Sequence, residues 1–377
     1  MQGHLSAHHW HRRLFAVAAA IAIAGAAAVG AASPAQAAPP ADRWGFAYVS
    51  NPTVPAWTNL NPAYQATSPP SPVAQGAKVS SGRFRVRFPG LGAGAGADGN
   101  VHVTAVNSSG NFCEAMRWFE SANDEYIDVA CHAPGGALAD TRFAVLWTLN
   151  TTLLPTTAAS YASVQYSPAA GVVVQSYNST GAGVTTLPVA PGVTWVVFEK
   201  VSVGSSLRAG NVQATAISRA IPRRCKIGAW DDSGLDIYAR VDCYDASGTL
   251  VDTDFNASYH RERPVVAATG PPKYFGYVWT RLPLGPNDTQ TNYNYPLGGY
   301  LLNTVTVSGA DTEAYFKHLS FNETHAQVTA FGPDPNYCNI VKVWQSLGAD
   351  LLVAVRCFDP TGNPAPSEAF VTANDRG

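Results

Sequence analysis

The residues of this chain that could do chemistry are six cysteines, five histidines beyond residue 37 and a set of clustered aspartates. The cysteines are Cys113, Cys131, Cys225, Cys243, Cys338 and Cys357; no two are closer than 18 residues and no C-x-x-C pair exists. That spacing speaks against a zinc site and for disulfides. The histidines are His102, His132, His260, His318 and His325, and none recurs at the matching position of another repeat. A hydrolase would need two or more of His260, Glu262, His318 and His325 in one pocket. His260 and Glu262, at the end of a strand, read instead as a solvated edge that resists strand addition. G-x-S-x-G and H-E-x-x-H are absent. Asp231, Asp232, Asp236, Asp242, Asp245, Asp252 and Asp254 could offer oxygens to calcium, but the EF-hand spacing is missing. Asp124, Asp236 and Asp350 recur seven residues before the second cysteine of each pair and read as turn caps. No catalytic residue, metal ligand or cofactor is assigned.

The elements that must position these groups are three hairpins. Cys113–Cys131 and Cys225–Cys243 are 18 residues apart, Cys338–Cys357 19. Turn formers occupy the middle of each loop: Ser121–Asn123, Asp231–Gly234 and Ser346–Gly348. Each pair therefore reads as a disulfide across the open end of a β-hairpin. A tryptophan lies 13 residues before each second cysteine, at Trp118, Trp230 and Trp344, so the extra residue of the third hairpin predicts a bulge between Cys338 and Trp344. Period-two counting puts Val129, Val241 and Val355 on the core side with the disulfides. It puts Trp118 opposite Tyr126, Trp230 opposite Tyr238 and Trp344 opposite Leu352, on the polar side. Either each tryptophan is covered by a neighbouring segment, or Trp118, Tyr126, Trp230, Tyr238 and Trp344 form exposed aromatic faces for a glycan or a protein partner.

The repeat extends well beyond the hairpins. Aligned strands run over Asn100–Val106, Asn211–Ile217 and His325–Phe331, with centres Val103-Thr104-Ala105, Ala214-Thr215-Ala216 and Val328-Thr329-Ala330. Gly136, Gly248 and Gly362 follow the second cysteines by five residues, and a last strand begins at Phe143, Phe255 or Phe370. Six or seven short strands per repeat predict an all-β chain: three tandem small β-sandwich or partly open β-barrel domains, each with one disulfide-closed hairpin. The boundaries expected are residues 43–149, 161–262 and 274–374, joined by linkers at Asn150–Ser160 and Arg263–Lys273.

The run FRVRFPGL … GNVHVTAVNSSGNFC … W … DVAC resembles uncharacterised secreted repeat proteins of actinomycete-type bacteria, over nearly all of the chain after the leader. The resemblance implies export and a repeated β domain; it carries no activity or catalytic residue across. Residues 1–37 themselves read as a signal peptide: Arg12 and Arg13, an apolar Leu14–Ala32 stretch and Ala35-Gln36-Ala37 for cleavage. Arg12-Arg13-Leu14-Phe15 partly matches a twin-arginine signal, while three disulfides favour general secretion. The leader carries two of the 24 basic residues and none of the 26 acidic ones, leaving the remainder at a formal −4. That charge excludes nucleic acid as the expected partner, and no later stretch predicts a membrane anchor. The expectation is a secreted, non-enzymatic extracellular protein that binds a glycan, an envelope component or a protein. The alternatives are a structural or protective protein without a defined ligand, and a hydrolase with its site in one unit.

Overall fold

The computed structural model describes residues 43–377, apart from 69–71, 93–97, 150–157, 205–207, 220, 267–273, 321–322 and 376–377. The expected leader, and most of both linkers, lie outside the described residues. The described residues form one compact body. Among the described residues there is no α-helix, and a 3-10 turn at Pro62–Tyr64 is the one helical element. The all-β expectation holds, as three β-sandwiches built from three nine-stranded sheets.

The sheets do not respect the repeat boundaries. Call residues 43–149, 161–262 and 274–374 units 1, 2 and 3. One sheet joins unit 1 strands such as Asn100–Val106 and Arg142–Leu149 to the unit 3 hairpin, including Tyr337–Ile340 and Asp350–Phe358. A second joins the unit 1 hairpin, Phe112–Ser121 and Asp124–His132, to Asn211–Ile217 and Asp254–Arg261 of unit 2. The third joins the unit 2 hairpin, Arg223–Ser233 and Asp236–Asp245, to His325–Phe331 and Glu368–Asn374 of unit 3. Each joint is a single parallel pairing: Ile340 with Val106, Ile217 with Ala115, and Ile227 with Phe331. The three units thus close into a ring. Each sandwich keeps its own core, yet borrows side chains from the next unit: Ile217 enters the core of unit 1, Trp279 and Phe370 that of unit 2, and Tyr48 and Ala144 that of unit 3.

Within each hairpin the cysteines face each other in register and are bonded: Cys113–Cys131, Cys225–Cys243 and Cys338–Cys357. The turn of unit 1 has both central residues left-handed, Ala122 at φ 52° and Asn123 at φ 66°, which is a type I′ geometry. Units 2 and 3 place Gly234 and Gly348, at φ 63° and 64°, in the first central position, as type II′ requires.

The bulge expected in the third hairpin alone is present, in some form, in all three. Register shifts between Ala115 and Arg117 and between Ile227 and Ala229 leave Met116 and Gly228 unpaired. In unit 3 the strand breaks outright, pairing at Ile340 and resuming at Gln345. One extra residue turns every later side chain to the other face. Trp118 therefore pairs with Ile127 rather than Tyr126, and Trp230 with Ala239 rather than Tyr238. Leu352 pairs with Gln345, not Trp344. Gly228 suits its bulge: a Cβ there would lie 1.9 Å from Asp242 Oδ2, in the space where Arg240 and Asp242 pair at 2.7 Å.

Two smaller expectations change. Ala369, not Phe370, occupies the position of Phe143 and Phe255, because it pairs with Ala330 as they pair with Ala105 and Ala216. Asp124, Asp236 and Asp350 do not cap their own turns. Each accepts the backbone N–H of a left-handed residue on a neighbouring segment: Gly90 at 2.8 Å, Lys200 at 2.9 Å and His318 at 3.1 Å.

Candidate functional site

The aromatic residues singled out in the hairpins divide by face. Trp118, Trp230 and Trp344 are 2%, 3% and 1% exposed, so none of them offers a platform. Each is sealed in a core. Trp118 donates its indole N–H to the Asp98 carbonyl at 3.1 Å, and Trp344 donates to Thr324 Oγ1 at 2.8 Å. Trp230 meets Trp279 and Phe370 edge-on at 6.0 and 5.2 Å. Tyr126 and Tyr238 point the other way and are half-buried on the outer faces.

On unit 1 that outer face becomes an aromatic row. Phe119 pairs across the hairpin with Tyr126, and their rings stack at 5.4 Å with 13° between planes. Trp57, 43% exposed and carried by the loop before the short strand Thr58–Asn59, meets Tyr126 at 6.0 Å. Two cations flank the row. Arg117 and Arg85 lie 5.0 and 5.1 Å from the Phe119 ring. Both are fixed by Asp128, which accepts from Arg85 Nε at 2.5 Å and Arg117 Nε at 2.8 Å. Burial alone would raise the Asp128 carboxyl, but the hydrogen bonds from these two arginines outweigh it and hold the group below its usual range. Arg87 forms a parallel pair with Asp124 and reaches Gln75 Oε1 at 3.2 Å. The result is a row of aromatic rings, with Trp57 turned 62° from the plane of Tyr126, bordered by paired arginines and carboxylates.

Among the described residues the other units show no such row. In unit 2 the residue paired with Tyr238 is Asp231, and Trp195 pairs with Arg240 beside an exposed Leu187. In unit 3 the corresponding pair is Gln345 and Leu352. Sequence reading missed Phe119 and Trp57. The slipped register hid the first, and the second lies outside any repeated strand. The alternation of Arg85 and Arg87 with the core residues Phe84, Val86 and Phe88 was the available signal.

Among the described residues, the histidines are not gathered around one open cleft. His102, His260 and His325 are buried and His318 is exposed. A cavity lined by Thr104, Thr215 and Thr329, a cleft beside Gly309 and Pro366 in unit 3, and two clefts where units 1 and 2 meet are lined by none of His260, Glu262, His318 and His325. Burial pushes His102 and His325 down to about 3 and His260 well below its ordinary value, so the rings are neutral. His102 is a structural member of a ring of polar side chains where the three aligned strands meet. Thr104 Oγ1 donates to Gln327 Oε1 and Thr329 Oγ1 to Gln213 Oε1, the latter at 2.9 Å. In the third position Thr215 Oγ1 meets His102 Nδ1 at 3.2 Å. By that analogy Nδ1 accepts and the proton sits on Nε2, which donates to Ser258 Oγ at 2.7 Å.

No family model matches the chain, and neither a curated protein nor a solved structure does. Three disulfides fit an oxidising, extracellular environment. No helix among the described residues is long and apolar enough to cross a membrane.

Proposed function

We propose that this is a secreted, non-catalytic protein that binds a glycan of the cell envelope through the outer face of unit 1. The observation that supports the reading is the row Trp57–Tyr126–Phe119 with its fixed border of Arg85, Arg117 and Asp128. Aromatic rings pack against the C–H faces of pyranose rings, and polar groups held at the edge of the strip can meet the sugar hydroxyls. The strip occurs in one unit, so units 2 and 3 serve as scaffold and the avidity of three equal sites is not expected. Residues 1–37 would deliver the chain to the compartment in which its disulfides form. A pull-down on insoluble chitin, cellulose and peptidoglycan tests the reading, with Trp57→Ala and Tyr126→Ala beside the parent. Retention of the parent and loss in both folded variants supports it. Equal retention of all three proteins, or none of the parent, rejects it.

A further inference from the structure

The same seam is closed in units 1 and 2 and open in unit 3. In unit 1 the hairpin before the central strand ends in Gly82, whose carbonyl accepts from Cys131 N–H at 2.8 Å and whose N–H is held by Asp140 Oδ1 at 2.8 Å. Unit 2 repeats the lock: Gly192 accepts from Cys243 N–H at 2.8 Å and donates to Asp252 Oδ1 at 2.7 Å. Neither glycine has room for a side chain. A Cβ on Gly82 would lie 2.7 Å from the Cys131 carbonyl oxygen, and one on Gly192 2.5 Å from Val251 N.

Unit 3 has lost both halves of the lock. The register of Asp311–Phe316 against Asp350–Phe358 puts Ala310 where the glycines stand, and Pro366 follows Cys357 by the nine residues that bring Asp140 and Asp252 after their cysteines. Ala310 carries the Cβ that the seam excludes, and Pro366 has no carboxylate to hold a turn. The tip of the hairpin stands clear instead: a Cβ on Gly309 would meet nothing within 4 Å. Between that tip and residues 364–368 lies a cleft of about 540 Å³ with Cys357 in its lining. Its volume falls within the range of small-molecule sites.

The lining has two parts. Leu282, Val307, Pro364 and Pro366 make apolar walls, with Leu282 58% and Val307 72% exposed. Two of the polar groups there are already engaged: Thr280 Oγ1 accepts from Ala369 N–H at 2.8 Å and Ser367 Oγ donates to the Phe331 carbonyl at 3.1 Å. Glu368 stands half-buried in the lining of the cleft. Burial raises this carboxyl, against the pull of Arg281 and a hydrogen bond from the Trp279 indole. We propose that the unit 3 cleft binds a small amphiphilic ligand, an apolar body with a cationic or hydrogen-bond-donating head that Glu368 accepts. The proposal is independent of the aromatic strip on unit 1.

Hexylamine, hexanol and hexanoate are suitable probes, titrated into the oxidised protein while the methyl signals of Leu282 and Val307 are followed by NMR. Hexylamine is expected to shift both signals and to bind on the order of tenfold more tightly than hexanoate, the scale of one charge-assisted contact. Val307→Trp, at an exposed position, is expected to fill the cleft and abolish the shift at Leu282. Glu368→Gln is expected to remove the preference for the amine. An Ala310→Gly/Pro366→Asp double variant, which restores the lock of units 1 and 2, is expected to weaken all three probes. Equal affinity for amine and carboxylate, binding that survives Val307→Trp, or no shift with any probe would overturn the proposal.

Discussion

The hydroxyl of Thr104, in the first unit, accepts the backbone N–H of Val328, in the last, at 3.1 Å. The same bond runs from Val103 N–H to Thr215 Oγ1 at 3.2 Å and from Ala214 N–H to Thr329 Oγ1 at 3.1 Å. Each threonine caps a neighbouring unit in cyclic order, so the three bonds belong to the ring and not to any one sandwich. Thr104→Val leaves the Val328 N–H and Gln327 Oε1 buried without their partner. It is expected to cost about 1–3 kcal/mol in urea unfolding. The pairs Thr104/Thr215 and Thr215/Thr329 should show non-additive losses in double-mutant cycles. Strict additivity would mean that the three bonds act as separate local contacts.

Ring closure also predicts how fragments behave. Residues 161–262 expressed alone would leave Phe112–Ser121 and His325–Phe331 missing beside the edges they complete, and would strip Trp279 and Phe370 from Trp230. This fragment is expected to lack near-UV circular dichroism and to aggregate through its exposed edges. A sharp, cooperative thermal transition from the oxidised fragment would show instead that the unit stands alone.

Stability should fall in mild acid, and His102 is one reason. Its ring is neutral in the folded protein, with its proton affinity lowered to about 3 by burial, while the unfolded chain takes up a proton near pH 6.5. The contribution of the neutral ring is complete above about pH 6.5. It is lost as pH falls toward 3, at about 1.4 kcal/mol per pH unit for each such ring. His102→Gln, which copies Gln213 and Gln327, keeps an acceptor for Thr215 and removes the titration. The slope of unfolding free energy between pH 6 and pH 4 is expected to drop by about that amount. An unchanged slope would place the acid sensitivity elsewhere.

Tryptophans on the two faces should respond in opposite ways. Trp118→Ala, Trp230→Ala and Trp344→Ala each empty a core site and are expected to cost about 3–5 kcal/mol. Trp57→Ala removes an exposed ring and is expected to change stability by about 0.5 kcal/mol or less. Guanidinium unfolding of the four variants checks this. A large loss with Trp57→Ala would make that residue part of the fold rather than of a surface.

Much of the architecture was legible because it repeats. Cys113, Cys225 and Cys338 recur with their partners at nearly constant spacing, and Gly136, Gly248 and Gly362 take the positive φ that the repeated turn position needs, at 96°, 87° and 89°. The face of the tryptophans was not legible. Met116 adds its residue with no local signal and Gly228 with only the glycine itself as one, and a single slip exchanges core for solvent. Sheet sharing was also invisible, because the joints between Ile217 and Ala115 or Ile340 and Val106 rest on one pairing each across about a hundred or more residues of chain. Phe370 shows the same limit at the scale of one residue: its type matched Phe143 and Phe255, while its register sends it into the core of unit 2. The aromatic strip needs a loop residue, Trp57, brought to Tyr126, a contact with no local sequence pattern.

The most direct test of the functional reading follows the Trp57 ring itself. Trp44, Trp118, Trp147, Trp230, Trp279 and Trp344 are buried and Trp195 is half-buried, so acrylamide quenching of the mature protein reports chiefly on Trp57. Solubilised oligosaccharides from chitin, cellulose and peptidoglycan would be titrated in. A saturable fall in quenching with one of these glycans, absent in Trp57→Ala and weakened in Arg117→Ala, is the predicted result. Quenching that stays constant with every glycan while the protein remains folded would contradict the account.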